Sequence, residues 1–232
     1  MTRLLVTGTD TEVGKTVVSA GIVAAWRRRG LEARGWKPVE SGTDSTGVPV
    51  DATLLHRVSG GTSDTELPVV YALPEPLAPV LAARRRGVVI VPAVLDAGFR
   101  AASDGTDAFV VEGAGGALVE AAEGLMFADL PSRWGLDVVV VAANRLGVLS
   151  HTLLTVEALQ RRSVRVRGVV LNTVHDGEPS AAEATNGDEL ARLLPEDVPL
   201  LGIVPWLPLE DRTDPDRLAD ALDPIAARLE RA

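Results

Sequence analysis

Apolar residues recur along the chain in two rhythms. Short unbroken runs such as Leu4-Leu5-Val6, Phe109-Val110-Val111 and Val138-Val139-Val140-Val141 suit strands buried on both faces, as in a parallel sheet. Strands are expected at 3–7, 33–39, 108–112, 137–142, 165–171 and 200–204. Between them the spacing turns helical: over 15–29 with Gly30 as the stop, over 51–58 with Asp51 at or near the start, and over 78–86 after the proline-rich loop 73–79. Further helices are expected at about 150–162, 181–194 and 215–231. The polar stretch 41–50 reads as a loop. So does 175–189, which runs into the 181–194 helix and carries nothing that points to chemistry. Alternating strands and helices without an internal repeat give an α/β fold: a doubly wound, mostly parallel sheet of the P-loop NTPase kind, formed as a single domain over 1–232.

Composition and charge narrow this picture. The 232 residues are 46% hydrophobic and 24% charged, enough for a real core. The net charge of −9 argues against nucleic acid as a partner. Arg27-Arg28-Arg29 and Arg84-Arg85-Arg86 read as solvated basic ends of helices. With no cysteine, disulfides, thiolate metal sites and a cysteine nucleophile are excluded. No apolar run approaches the roughly 18 residues of a membrane span, and no leader fits ahead of the first strand, so a cytoplasmic protein with no membrane partner is expected.

The candidate chemistry begins at GTDTEVGKT, Gly8 to Thr16, between the first strand and the first helix. Backbone N–H groups and a helix N-terminus there would point at phosphate oxygens, Lys15 would neutralise β- and γ-phosphate charge, and Thr16 would bind Mg²⁺. The loop is one residue longer than the usual P-loop between its glycines, and it carries two carboxylates, Asp10 and Glu12, where anions are to be held. Glu112 falls at the carboxyl end of a buried strand next to the turn Gly113-Ala114-Gly115, where ligands gather in open parallel sheets. Asp51 is a second candidate carboxylate for Mg²⁺ or, equally, a helix N-cap. Lys37, ahead of Pro38, is either a solvent-facing strand end or a second cation in the phosphate site.

GTDTEVGKT, WKPVESG (36–42), VVEGAGG (110–116), LGVLSHT (146–152) and VPWL (204–207) occur in the order found in dethiobiotin synthetases, and the chain resembles that family over nearly its whole length, longer loop included. The resemblance implies a seven-stranded parallel sheet, a homodimer with active sites at the subunit interface, and the use of ATP and Mg²⁺ to insert CO₂ between the amines of 7,8-diaminopelargonate. It implies Lys37 and Lys15 as catalytic residues, with Thr16, Asp51 and Glu112 around Mg²⁺. Glu12, Val13, Gly14, Lys15, Thr16 and Val17 would line the nucleotide with Asp51, Glu112, Gly113, Ala114 and Gly115, and Asn172, Thr173, Pro205, Trp206 and Leu207 would frame the adenine. Substrate contacts would come from Ser41 on the carbamate, Lys37, Ser150 and Glu12, the last pairing with a substrate ammonium; that pairing accounts for an acid in an anion loop. Asp10 is read as turn-forming and His151 as structural.

Three departures stand out. Ser150-His151 replaces the usual Asn-His, Ala78-Pro79-Val80 replaces Ser-Pro-His, and Glu40 is acidic where many relatives carry a small residue. Two rivals share the fold. Partitioning-type switch ATPases carry a second lysine where this chain has Thr7 and Gly8, and cobyrinate-amidating ligases need a glutaminase domain with a cysteine.

Overall fold

The computed structural model describes residues 1–62, 65 and 67–230. The chain opens with β1 (Thr2–Gly8), α1 (Lys15–Arg28), β2 (Ala33–Trp36), β3 (Val39–Ser41), α2 (Val50–Val58), β4 (Tyr71–Leu73), α3 (Pro79–Arg85) and α4 (Pro92–Ser103). It continues through β5 (Ala108–Gly116), β6 (Glu120–Ala122), β7 (Leu125–Met126), α5 (Leu130–Trp134), β8 (Asp137–Ala143), α6 (Val148–Gln160), β9 (Val166–Asn172), α7 (Ala181–Leu193), β10 (Leu200–Val204) and α8 (Pro215–Glu230). Position 231 of the expected last helix lies outside the described residues.

The main sheet runs β10-β9-β8-β1-β5-β2, and every neighbouring pair is parallel. From β1 the chain first builds the β5–β2 side and then crosses to β8. The carboxyl end of β1 therefore stands at the switch in winding direction, where an open α/β sheet leaves a crevice. Successive residues of one strand serve different cores. Leu4 and Val6 pack with residues of α1, α2 and α8, whereas Leu5 belongs with Leu95 and Phe99 of α4, Trp134 of α5 and Val156 of α6. Both faces are covered, which is why the strands read as unbroken apolar runs. The α1–α8 layer fits closely: a Cβ on Gly21 would come 2.5 Å from Leu222 Cγ, and Trp26 Nε1 donates to Ala226 O at 3.1 Å.

Several expectations need correction. Among the described residues the main sheet has six strands, not the seven the resemblance implies; β3–β4 and β6–β7 are separate two-stranded pairs. The strand expected over 33–39 breaks after Trp36, because Pro38 has no N–H for the ladder, and Pro38 O instead accepts from Val70 and Tyr71 N–H at 3.2 Å. The break is what holds Lys37 between two strands. The loop expected over 175–189 ends at Ser180, which starts α7 by a capping box: its hydroxyl accepts from Glu183 N, and Glu183 Oε2 accepts from Ser180 N at 2.8 Å. The basic run at the end of α1 is solvent-exposed as expected, and its side chains are also paired, Arg28 with Asp220 at 2.5 Å and Arg29 with Asp223 at 2.9 Å. Among the described residues no helix is long and apolar enough to cross a membrane.

Candidate active site

The loop after β1 is held at four points. Thr9 N donates to Val141 O of β8 at 3.0 Å, and Thr11 N donates to Asp10 Oδ1 at 2.8 Å, so Asp10 forms the turn as expected. Lys15 Nζ curls back to Asp10 O at 2.9 Å, and Asn172 Nδ2 reaches across from the end of β9 to Val13 O at 3.1 Å. Gly14 is the N-cap of α1 with φ 95°, a left-handed backbone that glycine adopts freely. The amides of Lys15, Thr16 and Val17 open the helix, where the first turn leaves N–H groups without intrahelical partners. Glu12 is exposed at φ 55°, a strained value for a residue with a Cβ.

Four of the sequence candidates meet beside this loop. Glu112 is fully buried within β5, which runs on to Gly116 instead of ending at Glu112 as expected, and it accepts on Oε1 from Thr16 Oγ1 at 2.8 Å and from Lys37 Nζ at 2.7 Å. Lys37 Nζ also donates to Asp51 Oδ2 in the first turn of α2. Asp51 thus turns its carboxylate to the lysine and is not the N-cap of α2, a place taken by Pro49. Burial pushes the Lys37 ammonium toward neutrality, but the charges of Glu112 and Asp51 outweigh it and hold the group above the ordinary lysine range. Burial pushes Glu112 up, while Lys37 and Thr16 work to keep it ionised. Lys15 is held below the usual lysine value, first by burial and then by the repulsion of Lys37, although Glu112 and Asp51 attract it.

The donor set fits a hard divalent ion: two carboxylates and a hydroxyl oxygen, with Glu112 Oε2 buried and lacking a hydrogen-bond partner among the described residues. No group of three or more His, Asp or Glu side chains that could hold a metal occurs among the described residues. The remaining candidates stand on neighbouring elements and loops. Gly113, Ala114 and Gly115 continue β5, and Gly115 turns at φ 69°. Thr173 N donates to Val204 O at 3.0 Å, which joins β9 to the Pro205-Trp206-Leu207 stretch after β10. There Arg212 lies 5.8 Å from the Trp206 ring centroid and donates to Leu207 O at 2.7 Å. Ser41 is half-buried at the end of β3. Ser150 and His151 are exposed on the first turns of α6, and no described hydrogen bond joins either side chain to the lysine cluster.

Two features escaped the sequence reading. Glu40 is buried, and each of its carboxylate oxygens accepts a backbone N–H of α2. Burial pushes its carboxyl up, and those two bonds oppose the rise. A polar network also backs the loop: Asn186 Nδ2 donates to Asn144 Oδ1 at 2.8 Å, and Asn144 Nδ2 to Glu183 O at 3.2 Å. Arg145, next in sequence, lies 3.4 Å from Asp10. The Ser180–Glu183 capping box was a signal for its α7 side; the strand-to-helix contact of Glu40 had none.

Comparison with known proteins adds a name to this geometry. A family profile described as an AAA domain matches residues 2–213. The ATP-dependent dethiobiotin synthetase BioD of Anaeromyxobacter dehalogenans strain 2CP-C is 43% identical over 228 residues, 98% of each chain. The BioD of Rhodococcus jostii is 44% identical over 88% of this chain and 87% of its own, and BioD 1 of Escherichia coli K12 is 36% identical over 88% and 91%. Among solved structures, the MinC:MinD cell division protein complex of Aquifex aeolicus gives a TM-score of 0.59 at 14% identity, covering 100% of this chain and 97% of its own. The septum site-determining protein MinD of Pyrococcus horikoshii, complexed with Mg-ADP, gives 0.53 at 17% identity over 100% and 97%. At those identities the two structures share the fold and no more.

Proposed function

The chain belongs to the dethiobiotin synthetase family, and from that premise we propose which of its residues carry the reaction. The enzyme is an ATP-dependent ligase that uses Mg²⁺ and closes the ureido ring of dethiobiotin by inserting CO₂ between the two amines of 7,8-diaminopelargonate. One amine adds to CO₂ and loses a proton, giving a carbamate. A carbamate oxygen then attacks the γ-phosphorus of ATP as the bond to ADP breaks, and the second amine attacks the carbamoyl carbon of the mixed anhydride and expels phosphate.

Negative charge gathers at every stage, so fixed cations aimed at it lower the barrier. Lys15, folded back over the loop, and Lys37, beside the carboxylate pair, are placed to meet it. Thr16, Asp51 and Glu112 would hold Mg²⁺, which when bound neutralises charge on the phosphates. The loop amides and the start of α1 bind phosphate; Asn172, Thr173, Pro205, Trp206 and Leu207 border the base; Ser41 lies in reach of the carbamate and Glu12 of a substrate ammonium. The observation that carries the assignment is the meeting of Lys37, Asp51 and Thr16 around Glu112 of β5, beside the loop that follows β1.

Residues 1–232 act as a single domain in this reading, and the enzyme works in the cytoplasm as a homodimer. Support for the dimer is exposed leucines on and just ahead of α6: Leu146 is 86% and Leu154 62% accessible, with Ser150 between them. The test of the function is ADP release that requires both bicarbonate and diamine, with dethiobiotin identified by mass. ADP release that ignores the diamine would instead fit a switch ATPase of the same fold.

A further inference from the structure

Glu40 stands on β3, 2% exposed, between Val39 and Ser41. Its Oε1 accepts the N–H of Asp51 at 3.0 Å and its Oε2 the N–H of Ala52 at 2.8 Å. These are second and third residues of α2, whose N-cap is Pro49. Helix starts normally find an acceptor in the side chain of the cap residue itself, and proline has none. The acceptor arrives here from a neighbouring strand, and as a carboxylate it also favours the positive end of the helix dipole.

The chain leaves β3 after Ser41 and returns at α2 through an eight-residue excursion, 42–49, most of it exposed. That excursion organises its own turn, with Asp44 Oδ1 accepting from Thr46 N at 2.8 Å and Val48 N at 2.9 Å. Within the turn nothing of this kind fixes the start of α2 to β3, the strand that holds Ser41 and follows Lys37; the Glu40 carboxylate does. We propose that Glu40 is a positioning residue for Asp51, locking the first turn of α2 to β3 so that the Asp51 carboxylate faces Lys37 and the magnesium site. The proposal rests on the reading of Asp51 as a metal ligand, and it gives a role to the one acidic departure in the WKPVESG segment.

The test uses the full chain and two readouts. In nucleotide-free protein, amide hydrogen exchange at Asp51 and Ala52 reports the two bonds directly. In turnover, the Mg²⁺ concentration for half-maximal ADP release reports the placement of Asp51. Hydrogen bonds to a charged acceptor are each worth a factor of about 10 or more, so Glu40→Ala should speed exchange at both amides and raise the Mg²⁺ requirement by at least about 10-fold, with KM for the diamine unchanged. Glu40→Gln keeps one acceptor and should fall between Glu40→Ala and the natural chain. Val58→Ala loosens the buried far end of α2 and should leave the Mg²⁺ requirement unchanged. An Mg²⁺ requirement unmoved in Glu40→Ala, or moved as far by Val58→Ala, overturns the positioning role. Asp51→Asn separates the two readings: if it leaves the Mg²⁺ requirement unchanged, Asp51 is no ligand, and exchange alone decides for Glu40, with unchanged rates at both amides overturning it.

Discussion

Gly14→Ala probes how the phosphate loop is built. At φ 95° an alanine would be held in the left-handed region, a cost of roughly 1–2 kcal/mol. Its Cβ would also stand 2.0 Å from Asn172 Nδ2 and 2.8 Å from Asn172 Cγ, so that side chain must leave. With it goes the hydrogen bond to Val13 O, a buried acceptor whose loss of a partner costs about 1–3 kcal/mol. The single substitution should therefore destabilise the nucleotide-free protein by about 2–5 kcal/mol in urea unfolding. The two contributions separate in a double-mutant cycle. In an Asn172→Ala background the clash is gone and the bond is already lost, so Gly14→Ala should cost only the backbone share, roughly 1–2 kcal/mol. MgATP affinity should fall in both backgrounds, because the helix start no longer points its amides at the phosphates. Equal cost of Gly14→Ala in the two backgrounds would refute the claim that Asn172 braces the loop, and would leave it as a wall of the base site alone.

Other outcomes follow from the same structure. Glu12→Gln keeps the loop shape and removes the charge, so kcat/KM for the diamine should fall about 10- to 150-fold while MgATP affinity holds; weakened MgATP binding with an unchanged diamine response would assign Glu12 to the loop instead. His175 is raised above its ordinary value by Asp176 O and by Glu183, so its contribution to stability is complete below about pH 6.5 and is lost as pH rises through the raised value. Glu183 is lowered, first by its bonds from Ser180, so its share is lost only as pH falls through its depressed value. His175→Gln should then flatten the fall in Tm above pH 6.5, and a profile unchanged by the substitution would remove the pair from the stability of α7. Sedimentation should find a dimer at assay concentration, and Leu154→Glu, an exposed position midway along α6, should dissociate it with loss of turnover; a fully active monomer would contradict an interface active site.

The six main strands were legible because a sheet covered on both faces needs unbroken apolar runs, and Leu4–Val6 or Val138–Val141 can hardly be anything else. The helix α4 was not, since Val88-Val89-Ile90-Val91 ahead of it has strand-like composition and Gly98 interrupts its interior. Gly98 is there for contact: a Cβ would lie 2.7 Å from Val70 and 3.1 Å from Trp36. The helix expected over about 181–194 is α7, but its first turns also read as loop because glycine, asparagine and threonine fill 181–189, although Ser180 and Glu183 carried the capping signal. At the site, Lys15 and Thr16 were readable from the glycine loop that opens α1, and Lys37 and Glu112 from their motifs, whereas the N-cap alternative for Asp51 was excluded only by the fold, which gives that place to Pro49 and turns Asp51 to Lys37. Glu40 bonds only backbone atoms of a helix reached by an irregular loop, and side-chain patterns carry no trace of such a contact.

Single-turnover measurement on Lys37→Ala tests the central claim most directly. Enzyme in excess is mixed with diamine, bicarbonate and labelled MgATP, and carbamate, labelled phosphate and dethiobiotin are followed in time. Loss of one preorganised donor to the developing charge costs about 2.7–4 kcal/mol, so carbamate should still form while phosphate release and ring closure slow together by about 10²- to 10³-fold. Ring closure at nearly the natural rate in Lys37→Ala would contradict the account, whatever the fate of the carbamate.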